Sequence, residues 1–116
     1  MRSVLAVLAA VALTLVFFFV GQAPAGDPEA GEALASGCAS CHGTDGIASV
    51  DRYPSLAGQN EGYLFRAMRA YQDGDRRGGQ ATVMHGQVSG LSEQELRDLA
   101  AYYAEMPRTG AESSPD

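Results

Sequence analysis

The sequence predicts an all-α domain, three to four short helices and long loops wrapped around something that is not protein. Three observations predict it. Several segments carry helical hydrophobic spacing with recognisable end signals, and none shows the strict alternation of a strand. The 14 glycines and 5 prolines are the composition of a loop-rich domain rather than a regular bundle. Short helices with that much loop lack the apolar mass to close a core unaided, and a domain this small commonly needs a staple, a metal or a cofactor.

The chain of 116 residues is long enough for one domain, and its first 25 residues are a separate object. A short positive start, "MRS", precedes an uncharged apolar run from Val4 to Val20. Ala23 and Ala25 then stand in an A-x-A arrangement, the layout of an export leader cleaved after Ala25. The alternative is an uncleaved anchor, since the run is at the lower limit for spanning a bilayer. Both place residues 26–116 outside the cytoplasm, in a bacterial chain the periplasm, and membrane contact is expected only if the segment stays attached.

In the remainder, "DPEAGEALAS" reads as a short helix. Asp27 caps it, Pro28 suits its first position, and Gly31, Leu34, Ala35 and Cys38 share a face. Gly37 is placed to end it. Residues 43–62 are rich in Gly, Asp, Ser and Pro and read as loop. "YLFRAMRAYQDG" is helical, with Tyr63, Leu64, Ala67, Met68 and Tyr71 as an apolar stripe and Arg66, Arg69 and Gln72 facing away. Residues 73–90 read as a second loop, and a long loop in a compact domain is usually functional. The last helix has the clearest signals: a Ser92/Glu95 capping box and Leu91 and Leu96 at the staple positions. Leu96, Leu99, Ala100, Tyr102 and Tyr103 form its apolar face, Pro107 ends it, and residues 107–116 read as a flexible tail.

All eight basic residues are arginine, against 14 acidic ones, for a net charge of −6. No basic run is present, so nucleic acid is not an expected partner. Opposite potentials raise encounter rates, so an acidic protein is steered, if at all, by a basic partner.

The chemistry sits in "CASCH". Cys38 and Cys41 are the only cysteines, and His42 follows directly. A disulfide between them would close a tiny loop and constrain the unfolded chain little. Zinc would ask for four closed ligands, commonly in two pairs, and a thioredoxin-like redox pair for a βαβ context that is missing. C-x-x-C-H is instead the attachment signature of c-type haem. Each thiol adds to one vinyl group of the porphyrin, the spacing lets one helical turn reach both, and the histidine ligates the iron, a metal imidazole suits.

With "CASCHG", "YPSLAGQ", a methionine in a loop and "LSEQELRDLAAYYA" in that order, residues 27–106 resemble the class I c-type cytochromes. The resemblance is strongest to small bacterial periplasmic members: a half of the dihaem two-domain cytochromes, or the haem subunit of flavocytochrome c sulfide dehydrogenase. It implies the class I fold over residues 26–106 around one covalent haem c. It also implies one-electron transfer between redox partner proteins, with no catalysis by the chain alone and no small-molecule substrate. The alternative is a haem-bearing, electron-accepting subunit of a dehydrogenase. Cofactor-binding residues implied are Cys38, Cys41, His42, Pro54 and Met84, with His42 and Met84 on the iron. Pro54 matches the proline whose carbonyl accepts the proximal imidazole N–H, although a turn proline is common in such a loop. Gly31 and Tyr102 match a close crossing of the first and last helices. Met84 matches the distal methionine by its spacing to Leu91. His85 is its rival, an imidazole that would give a lower potential; Met68 reads as core and Met106 as peripheral.

Overall fold

The computed structural model describes residues 2–8 and 23–108. Residues 2–8 are helical and exposed. Most of the expected leader and residues 109–116 lie outside the described residues. Among those described, no helix is long and apolar enough to cross a membrane, and no strand occurs.

The domain is built from α1 (Pro28–Leu34), α2 (Ser36–His42), α3 (Glu61–Gln72), α4 (Ala81–Val88) and α5 (Glu93–Glu105). The Asp27 carboxylate accepts the Glu29 and Ala30 N–H groups, and Pro28 opens α1. The expected end of that helix at Gly37 is not what the chain does. A single residue, Ala35, breaks it, and α2 begins at Ser36 with Gly37 inside its first turn. Ala35 keeps a right-handed helical backbone, and its carbonyl accepts from both Cys38 and Ala39, so helix resumes at once. The true stop is Gly43 at φ 86°. There a Cβ would meet the Ile47 carbonyl oxygen at 2.1 Å, a contact only glycine escapes.

The second long loop is shorter than its composition suggests. Residues 81–88 form α4, so Met84 and His85 lie on a helix. Nothing local announces it: Gln80 makes no side-chain cap bond, and Thr82, Val83 and Gly86 are weak helix formers. Tertiary bonds hold it. Gln72, expected to face away, instead donates through Nε2 to the Val88 and Leu91 carbonyls at 2.7 and 2.8 Å. The His85 ring donates from Nδ1 to the Tyr71 carbonyl at 2.8 Å.

The capping box of α5 forms in both directions between Ser92 and Glu95. Leu96 and Leu99 are the largest fully buried side chains, each contributing about 2 kcal/mol by burial. Ala35, Leu64, Ala100 and Tyr103 complete the core with Leu99, and Leu91, Met68 and Met106 pack on its edge. Contact with the domain continues past Pro107, because Arg108 Nε donates to the Gly58 carbonyl.

The tightest packing is the crossing of α1 on α5. A Cβ on Gly31 would lie 2.1 Å from the Asp98 carbonyl oxygen and 2.8 Å from Tyr102 Cβ. Both obstacles are backbone or the base of a side chain, so the helices themselves must part. Gly31→Ala is therefore expected to cost about 3 kcal/mol, the upper end of ordinary overpacking. A thermal melt of the holoprotein checks it; an unchanged midpoint would mean that the crossing gives way freely.

Candidate haem site

On α2, Cys38, Cys41 and His42 stand at i, i+3 and i+4, the spacing that puts side chains on one helical face. Both cysteines are half-buried and free, and His42 is buried. Its Nδ1 lies 2.7 Å from the Pro54 carbonyl oxygen. A carbonyl can only accept, so Nδ1 carries the proton and Nε2 keeps a lone pair. Among the described residues Nε2 has no hydrogen-bond partner. Burial pushes the Cys38 thiol above its ordinary value, Tyr103 pulls partly against this by hydrogen bonding, and nearby Cys41 adds to the rise. The Tyr103 phenol is likewise raised, chiefly by its own burial. Neither group carries charge at neutral pH.

These residues line a cleft of about 400 Å³. Its walls are α2, the Arg52–Gln59 loop, the α3 stripe from Tyr63 to Tyr71, α4, and Leu91, Leu99 and Tyr103. Met84 and Met68 line it; His85 and Met106 do not. The two methionines inside differ, because Met68 also packs into the hydrophobic core while Met84 is given up to the cleft. Tertiary bonding also separates Met84 from its neighbour, since the His85 ring is bonded to the Tyr71 carbonyl and does not line the cleft.

Arg52 and Arg76 line the cleft, and among the described residues no carboxylate does. Each guanidinium lies over a tyrosine of the same wall, Arg52 over Tyr53 at 5.1 Å and Arg76 over Tyr71 at 4.9 Å. In a chain with such an acid excess this is a selective arrangement. Sequence reading missed both, because nothing in "DRYP" or "DRRGG" distinguishes a cleft arginine from a solvated one. The donor set fits an iron porphyrin: two thiols on one turn, an imidazole with one nitrogen locked and the other available, a thioether, apolar and aromatic walls, and two cations for two acidic tails.

Fold and site together define a helical domain whose cleft suits a covalent haem. The family model described as Cytochrome c matches residues 28–106, and the chain belongs to the cytochrome c family. It is 46% identical over 80 residues to cytochrome c-554(548) of Halomonas halodenitrificans, covering 69% of this chain and 96% of that protein. It is 39% identical over 107 residues to cytochrome c4 of Pseudomonas aeruginosa, covering 91% of this chain and 52% of that one. The crystal structure of reduced cytochrome c4 from Pseudomonas stutzeri superposes with a TM-score of 0.64 at 36% identity, over 72% of this chain and 47% of that one. The chain thus spans nearly all of the first relative and about half the length of each cytochrome c4. Its fold is the class I cytochrome c fold, its cofactor is covalently attached haem c, and its work is one-electron transfer with redox partner proteins.

Proposed function

We propose that the chain is an exported, periplasmic electron carrier with a single haem. In this reading Cys38 and Cys41 would form the two thioethers, and His42 through Nε2 and Met84 through Sδ would hold the iron. Haem c supplies a one-electron couple between ferrous and ferric iron. The chain's own residues decide how it is used. The Pro54 carbonyl fixes the imidazole tautomer and ring orientation and raises its basicity. Arg52 and Arg76 offset the cofactor's acidic tails. Two protein ligands leave no open position for a substrate or oxygen, so the chain acts as a carrier without catalysis of its own. The observation that carries the proposal is the pairing of a locked, buried His42 with Met84 in one cleft, while His85 is tied outside it. Residues 1–25 serve as the leader, residues 26–106 as the haem domain, and no nucleic acid or small-molecule substrate is involved.

The purified ferrous protein should be low-spin, titrate as a single one-electron couple, and resist carbon monoxide on mixing. Rapid carbon monoxide binding would show an open iron position and sink the carrier reading. Recovery in a lasting complex with a dehydrogenase would make the chain a haem-bearing subunit instead. Deletion of residues 2–25 should yield protein without haem, because attachment would then be denied the exported compartment.

A further inference from the structure

We propose that cleavage between Ala25 and Gly26 creates an α-ammonium group that the buried carboxylate of Asp98 receives, so that processing itself ties the start of the mature chain to α5. The proposal rests on reading residues 1–25 as a leader.

Asp98 is buried on α5 at 6% exposure. Its Oδ1 accepts the Asp27 N–H at 2.8 Å and Gln94 Nε2–H at 2.9 Å; among the described residues no hydrogen bond reaches Oδ2 and no cation pairs with it. The adjacent arginine is committed elsewhere, since Arg97 bridges to Glu93 at 2.7 Å and stacks on the Phe65 ring at 4.1 Å. A buried carboxylate without a countercharge is costly.

The residue that becomes the new terminus is pinned beside it. A Cβ on Gly26 would lie 2.1 Å from the Arg97 carbonyl oxygen and 2.9 Å from Ala101 Cβ, so its backbone rests directly on α5. Covalent geometry keeps the Gly26 nitrogen within about 4 Å of the Asp27 nitrogen, which itself touches Asp98. The amine is therefore inside, or a bond rotation from, the 4–6 Å or so over which opposite charges shift one another. In the uncut chain that nitrogen is a neutral amide, and Gln94 holds the Ala25 carbonyl at 3.0 Å.

The step is hydrolysis by a signal peptidase. Water adds across the Ala25–Gly26 amide, the C–N bond breaks, the carboxylate leaves with the leader, and the amine stays and takes up a proton. Other charged groups facing the amine are Asp27, whose carboxylate caps α1, and Glu61, Arg66 and Arg97, which line a second cavity with Gly26. With Arg97 spent on Glu93, the local balance is negative and favours the ammonium.

The sign follows. An amine whose folded pKa is raised contributes stability fully present below its ordinary range, about 7.7–8.0, and lost as pH rises through the folded value. Because the chain contains no lysine, acetylation directed at amines modifies the α-amine alone. The experiment uses exported holoprotein: intact mass, amine titration by NMR, and thermal melts with and without acetylation. Expected are a mass beginning at Gly26, an acid dissociation constant about tenfold smaller than in a glycine-led peptide, and a lower melting point after acetylation. Asp98→Asn should erase the amine shift. An ordinary amine titration with a terminus at Gly26 overturns the Asp98 assignment and leaves the leader reading standing. A mass that retains residues 1–25, or begins elsewhere, overturns both. The wild-type titration decides even if the Asp98 variant does not fold.

Discussion

Replacing Cys38 and Cys41 together by alanine is expected to leave a polypeptide with no covalent haem and no cooperative fold. The two thiols share a helical face with His42 and line a cleft of about 400 Å³, while the largest fully buried side chains among the described residues are Leu96 and Leu99. A cavity costs about 24 cal/mol per Å³, so failing to fill the cleft forfeits about 10 kcal/mol, an upper bound because the cleft opens to water. That is comparable with the roughly 5–15 kcal/mol by which domains are stable at all. Wild-type haem should survive denaturation and acid–acetone extraction, and that of the double variant should not. Haem staining of a denaturing gel, with a melt followed by circular dichroism, checks both halves. Covalent haem in the double variant would remove these cysteines from the attachment chemistry.

The second large effect concerns the distal ligand. Met84→Ala should abolish the weak long-wavelength sulfur-to-iron absorption of the ferric protein and lower the reduction potential. A thioether favours ferrous iron relative to imidazole, and axial ligands set haem potentials over a range of about 0.8 V. His85→Ala should leave band and potential nearly unchanged and cost only about 1 kcal/mol, the net worth of its bond to the Tyr71 carbonyl. The neighbours separate because one helical step turns them about 100° apart, and Tyr71 fixes which of them turns outward. Loss of the low-spin spectrum in the His85 variant but not in the Met84 variant would reverse the assignment.

Local signals were legible where they were strong. Ser92 and Glu95 announced α5, Asp27 and Pro28 announced α1, and the CASCH spacing announced the cofactor. What stayed hidden depends on residues far apart in the chain. Helix α4 lacks a cap and a good composition, and exists because Gln72 and Tyr71 supply its outside bonds. Gln72 looked like a solvated position on α3 for the same reason: its partners, Val88 and Leu91, come from the end of α4 and the turn after it. Asp98 is a charged residue on the buried side of α5, and no pattern of hydrophobicity marks a carboxylate that accepts from Asp27. The break at Ala35 escaped notice because alanine is a strong helix former, so Gly37 drew the eye instead.

The crossing of α1 on α5 gives the chain a timetable. Its bond from the Asp27 N–H to Asp98 joins residues 71 apart in sequence, and contacts of such separation close late because loop entropy is spent first. Under the proposed export the chain would emerge from its amino end, so residues 38–42 would reach the far side well before the helix that encloses them. Until α5 arrived, the two thiols would belong to an open stretch of chain accessible to attachment chemistry, and afterwards to an enclosed wall. Thiol labelling of chains halted before residue 93 checks the order: their cysteines should react at the rate of an unfolded peptide, and protection at that stage would mean that the wall closes early.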